Sequence, residues 1–305
     1  MLLIINSHLD GYYPIPHIGT GGALGNSIFF CLSAFGIYLS QQTNCKSFSE
    51  WFKGRIIRIY PSMWIVHIFL TMTIMIILGN FNTDYVMTFI GHFFNPPHWF
   101  IRVLLIYYVL AFFFLKPGQK SELFCMFGVL SIIYFSLYFF WLDLSQWSVE
   151  APPFKLIHYF MIFLFGIYLA EKNKSITYTG SHNFVVLLLL VALVYGHKFL
   201  MTKGLYPEFQ FSQQVAMYPI IFYLLKISRS PFVSSMLSKS TVVSSIVKFI
   251  SDHTLELYMI QETLAGPVLK LNLSFPLNAI TFICSTFILS SIVKRLADIA
   301  KAKIN

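Results

Sequence analysis

The chain has 305 residues, 57% of them apolar and 18% aromatic, and only 11% are charged. A soluble domain carries about 25% charged residues, and a globule of this size cannot hide so much apolar surface from water. With a mean hydropathy of +0.70, the composition excludes a soluble domain, a disordered chain and a fibrous repeat, and leaves a multi-pass membrane protein.

In chain order, residues 1–7 reach only about 10 Å as a helix, and predict a truncated N-terminal helix. A hydrocarbon core about 30 Å thick takes roughly 20 helical residues to cross. Apolar runs over 22–41, 63–79, 98–115, 122–142, 156–170, 183–201, 212–227, 249–269 and 275–293 then predict about nine full spans. They are helices because backbone groups in lipid must be satisfied within their own segment. The expected fold is all-α, a polytopic transmembrane helix bundle in a single domain over 1–305. Of the 21 Lys and Arg, sixteen fall in one set of alternate loops and three in the other. That bias puts loop 42–62 and the C-terminus in the cytoplasm and 8–21, 80–97, 143–155, 202–211 and 270–274 outside.

The net charge of +9 belongs to those loops. No soluble segment carries a basic stripe with interleaved aromatics, so the expected partner is the lipid bilayer and no nucleic acid. Cys31, Cys45, Cys125 and Cys284 fit no zinc or redox spacing and read as buried small hydrophobes. The sequence has no H-x-x-x-H pair, P-loop, G-x-S-x-G or dinucleotide fingerprint, and no metal is expected.

The candidates for chemistry also follow in chain order. His8 opens the first outward segment and can take and return a proton near neutral pH, with Asp10 close enough to orient it; the plain alternative is an interfacial histidine. Gly25 to Gly36 heads the first full span, where Asn26, Ser27 and Ser33 are polar groups within the membrane and the small residues also suit close helix packing. Arg55 and Arg58 are three apart at the inner mouth of the next span, followed by Tyr60 and Pro61. On a helix both guanidiniums share a face and suit phosphate capture, or they anchor to lipid headgroups. Arg102 lies within a span, where a charge at mid-membrane costs about 2.5–3.5 kcal/mol. It needs a partner, a wet cavity or a snorkelling path. Glu256 is a candidate partner for it, and Glu262, six residues on, cannot share the same narrow face.

Several strings together resemble the acyltransferase-3 family of integral membrane O-acyltransferases. His8-Leu9 is similar to the end of that family's first helix. Gly25 to Phe35 resembles its GVDxFFxLSGF signature, with Ser27 for the Asp and Ala34 for the Gly. Arg55-Ile56-Ile57-Arg58-Ile59-Tyr60-Pro61 matches its RxxRxxP element. Ser251 to Gln261 is similar to its late SLxIYLxH helix, with Gln261 for the His, and Phe163 to Ala170 is a weaker match to a FxxGxxxA segment. The likeness covers essentially the whole chain. The family's Arg ahead of the His falls before Met1 here.

The resemblance implies acyl transfer, most simply of acetyl, from cytoplasmic acetyl-CoA to a hydroxyl of a cell-surface polysaccharide such as lipopolysaccharide, or of its lipid-linked precursor. It makes His8 the proton acceptor, with Asp10 beside it. Arg102, from its placement, is expected to polarise the thioester or steer the acceptor. Arg55, Arg58, Tyr60 and Ser33 are the candidate donor-binding residues. The expected location is a bacterial cytoplasmic (inner) membrane. Two other readings stay open: a transporter or flippase of a lipid-linked sugar or organic anion, and an inactive shortened family member.

Overall fold

A computed structural model of the chain describes residues 1–43, 46–77, 79, 91, 96–114 and 120–304. Most of the expected outward segment 80–97 and basic loop 116–121 lie outside the described residues, as do Cys45 and His92. Among the described residues every regular element is helical. In order these are α1 (Leu2–Ser7), α2 (Gly22–Thr43) and α3 (Phe48–Ile65), which continues through a π-helical stretch, Val66–Thr71, into α4 (Met72–Ile77). Then come α5 (Trp99–Phe114), α6 (Lys120–Trp141), α7 (Phe154–Glu171), α8 (His182–Thr202) and α9 (Phe211–Ser228). The last are α10 (Pro231–Lys239), α11 (Thr241–Asp252), α12 (Thr254–Leu269) and α13 (Leu277–Ile304).

Six stretches are long and apolar enough to cross a membrane: Pro16–Thr43, Phe48–Ile77, Glu122–Trp141, Phe154–Glu171, His182–Thr202 and Leu277–Lys303. Pro207–Ser228 and Pro231–Lys239, bent by 56°, make a seventh if counted as one span. Two of the expected nine are shorter than the apolar pattern suggests. Run 98–115 is α5, of 16 residues. Run 249–269 breaks at His253 into α11 and α12, because the backbone bends where Asp252 and His253 interrupt the apolar pattern. The chain is an integral membrane protein. Its outer faces say the same: Val185, Leu188, Leu189 and Leu193 of α8 are all exposed, a stripe at helical spacing that only lipid can cover. Cys31 is buried as expected, but Cys125 and Cys284 are exposed. They sit on outward apolar faces, where a thiol meets lipid as a small hydrophobe.

The chain forms two compact units. The first comprises Met1–Gly25, Lys46–Arg102 and Ser245–Asn305. Here α13 packs against α3 and α12. Helix α3 starts on a capping box, in which the Ser47 hydroxyl accepts from the Glu50 amide and the Glu50 carboxylate accepts from the Ser47 amide. This satisfies two amides that the first turn leaves without partners. Next to Pro61, the buried Ser62 hydroxyl donates to Glu256 of α12 at 2.6 Å.

The second unit comprises Asn26–Cys45 and Val103–Ser244. Its centre is α7, buried on nearly every side. A Cβ on Gly166 would lie 2.2 Å from the Cys31 carbonyl oxygen, so only glycine lets α2 and α7 come this close. Phe30 lies between the rings of Tyr107 and Tyr159, at 5.3 and 5.1 Å. The Ser27 hydroxyl donates to the Met217 sulfur at 3.1 Å. Ser27, Phe30, Cys31 and Ala34, all buried, follow helical spacing along α2. The small-residue string thus packs against neighbouring helices in its own unit.

Candidate functional site

His8 closes α1 in the first unit, and the chain that returns past it explains its position. A Cβ on Gly19 would fall 2.4 Å from the Asp10 backbone, one on Gly22 2.5 Å from the Ser7 hydroxyl, and one on Gly25 2.5 Å from the Ile4 side chain. The three glycines are spaced to let residues 19–25 run directly against residues 4–10. Gly21, between them, has φ +103, a conformation that favours glycine. Asn6 locks the pair. Its amide donates to the carbonyls of Ile18 and Thr20 at 2.8 and 2.9 Å, and its oxygen accepts from the Tyr13 hydroxyl at 2.9 Å.

The following residues are pinned to the helices behind them. The Tyr12 hydroxyl donates to the Ala265 carbonyl of α12 at 2.5 Å, and Asn278 at the start of α13 donates to the Tyr12 carbonyl at 3.2 Å. The Tyr12 ring also meets Phe282 at 5.2 Å. The short α1 is therefore held by its surroundings, since six residues form no stable helix alone.

The His8 imidazole is half-buried and has no hydrogen-bond partner among the described residues. Burial pushes its pKa below the ordinary histidine value, while the Glu262 and Asp10 carboxylates pull it upward. The net result is a ring that is neutral at pH 7 and able to accept a proton. Asp10 acts on it through space, and the Asp10 carboxylate accepts the Gly11 amide at 2.7 Å.

The negative charge felt by His8 comes from a pair that the sequence pattern does not display. Glu262 of α12 meets His98, just before α5, with Nδ1 and Oε2 2.8 Å apart. His98 is buried, and its neighbour Phe100 packs on Tyr258 of α12 at 4.8 Å. The pairing joins residues 164 positions apart, so no local motif announces it. Glu256, the candidate partner of Arg102, instead accepts the Ser62 hydroxyl. Arg102 is exposed in the first turn of α5, one turn after His98. Gln261, between the two glutamates, is fully buried, and among the described residues neither side-chain amide atom has a hydrogen-bond partner.

Arg55 and Arg58 part company. The Arg55 guanidinium lies over the Trp51 ring, 5.5 Å from its centroid. Arg58, exposed, lines a cavity of about 730 Å³ together with Phe249, His253, Lys294 and Arg295. Tyr60 is half-buried on α3. Ser33 belongs to the second unit, half-buried on α2. Helix α12 begins beside the cavity at His253 and reaches Glu262 nine residues later, roughly 14 Å at 1.5 Å per residue. Among the described residues, no group of three or more His, Cys, Asp or Glu side chains could hold a metal ion.

A polytopic membrane bundle with a neutral, unpartnered imidazole in the field of Glu262 and a basic cavity beside the start of α12 matches one class of protein in sequence as well. A family model described as an acyltransferase domain matches residues 1–295, and the chain belongs to the acyltransferase-3 family. No curated protein and no solved structure matches the chain.

Proposed function

We propose that the protein is an O-acetyltransferase that moves an acetyl group from cytoplasmic acetyl-CoA to a hydroxyl of a cell-surface polysaccharide or its lipid-linked precursor. In this reading it works as one domain of nine spans in a bacterial inner membrane, with the C-terminus in the cytoplasm. Family membership supplies acyl transfer. The observation that supports the catalytic part of the reading is His8, an imidazole with lowered pKa and no hydrogen-bond partner among the described residues.

The acceptor oxygen attacks the thioester carbonyl while His8 takes its proton, a contribution of typically 10²–10⁴-fold. The new C–O bond replaces the C–S bond, and the coenzyme A sulfur leaves and takes the proton back from the imidazolium. Asp10 and Glu262 stabilise that imidazolium through space. Arg102 polarises the carbonyl or steers the acceptor. Arg58, with Arg55 and Tyr60, serves the donor. The sixteen-to-three distribution of basic residues supports a cytoplasmic donor side.

The test is transfer of labelled acetyl from acetyl-CoA to glycan in membranes that contain the protein. Label on glycan, absent from membranes without the protein, is the expected result. Saturable uptake of a lipid-linked sugar with no transfer would replace this reading with a transporter.

A further inference from the structure

We propose that α11 lies in the plane of the bilayer as an interfacial helix, with its apolar side among the lipid acyl chains and its polar side among the headgroups. The inference is independent of acyl transfer and rests only on the membrane-spanning fold. Along α11, Val242, Val243, Ile246, Val247, Phe249 and Ile250 share one side at helical spacing, and Thr241, Ser244, Ser245, Lys248, Ser251 and Asp252 take the other. Val242, Ile246 and Val247 are 67%, 53% and 47% exposed. The chain itself therefore leaves this apolar side uncovered, and a contiguous apolar surface of this kind marks a contact with lipid or with a partner.

Three observations make that contact lipid. First, the 12 residues of α11 rise about 18 Å, too little to cross a hydrocarbon core about 30 Å thick.

Second, the depth of its apolar side is fixed from within the first unit. Phe249 stacks on Phe287 of α13 at 5.9 Å and 15°. Phe287 precedes Lys294 by two turns of a membrane-spanning helix, about 10 Å, and Ile288 and Ile292 between them are exposed. Phe249 thus sits at the level of the acyl chains, just inside the basic end of α13. Interfacial helices bury their apolar side to a similar depth, about 5–10 Å.

Third, the polar side of α11 carries no net charge. Lys248 pairs with Asp252 at 3.2 Å, with both side chains exposed. A solvated ion pair among serines suits headgroups and water, and presents nothing for an acidic or a basic protein to complement. The same Phe249 ring stacks on His253 at 4.0 Å and 16°, and His253 caps α12. A helix held by lipid therefore positions the start of α12.

The experiment is electron paramagnetic resonance on the full chain in nanodiscs of neutral phosphatidylcholine. The 4 native cysteines are replaced by alanine, and Val242→Cys, Ile246→Cys and Lys248→Cys each carry a nitroxide in turn. The labels at 242 and 246 are expected to be reached by oxygen and shielded from a water-soluble nickel complex, at a depth of about 5–10 Å. The label at 248 should show the reverse. Residues 242 and 246 are both exposed, an unchanged unfolding midpoint confirms each labelled fold, and either position alone decides. Nickel reaching 242 and 246 as freely as 248 would overturn the proposal and leave α11 in water. Shielding of 242 and 246 from both reagents would also overturn it, and mutual broadening of the labels would then assign this side to a second copy of the chain.

Discussion

His8 carries little in the sequence to set it apart from the other eight histidines. Its surroundings do so: partial burial lowers its pKa, and Glu262 and Asp10 oppose that shift. The sign gives a prediction. With His8 as the proposed base, transfer needs the neutral ring, and the rate is expected to fall as pH drops through the His8 pKa. Glu262→Gln removes a carboxylate that raises this pKa, so the acid limb of the pH–rate profile should move to lower pH. A limb that stays in place or moves upward would remove Glu262 from the field of His8. Arg58 and Arg102 are visible as residue types in unusual places. The pairing of Glu262 with His98 is not, because it depends on where two distant segments meet. The twin-guanidinium pattern is legible too, yet only Arg58 reaches the cavity. Trp51, one turn before Arg55, draws that guanidinium onto its ring.

At the scale of elements, glycine spacing decides where α1 sits. Residues 19–22 are glycine-rich in sequence, and what the glycines do emerges only from the residues they touch. Gly19→Ala puts a methyl 2.4 Å from the Asp10 backbone and must displace it. Misplacement of a reacting group by about 1 Å can cost about a hundredfold, and a loss of that order in transfer is the expected result. Gly36→Ala in α2 is the contrast. A Cβ there meets nothing within 4 Å, so the chain should gain about 0.5–1 kcal/mol in thermal unfolding and keep its transfer rate. Equal effects of the two substitutions would deny the glycine stripe its positioning role. The same scale explains the shortfall in spans. Apolar periodicity finds α6, α7 and α8 to within a few residues. It runs across the break at His253, because hydropathy averages over one polar turn that the backbone does not ignore.

For the whole molecule, class and family are legible from end to end. Composition fixes the membrane, and the ordered motifs point to the family that the match over residues 1–295 establishes. The division into two units is not legible, since the first is assembled from three separate stretches of chain. That assembly gathers His8 from the start of the sequence, Glu262 from its last quarter, and a basic cavity that joins Arg58 to residues between 249 and 298. The account stands on His8 as the group that takes the acceptor's proton. The most direct measurement compares native chain and His8→Ala, in the same nanodiscs, for labelled acetyl transfer to glycan and for coenzyme A affinity. The account predicts transfer reduced at least about a hundredfold, with coenzyme A affinity unchanged and partial rescue of transfer by added imidazole. Transfer at the native rate in His8→Ala would contradict it.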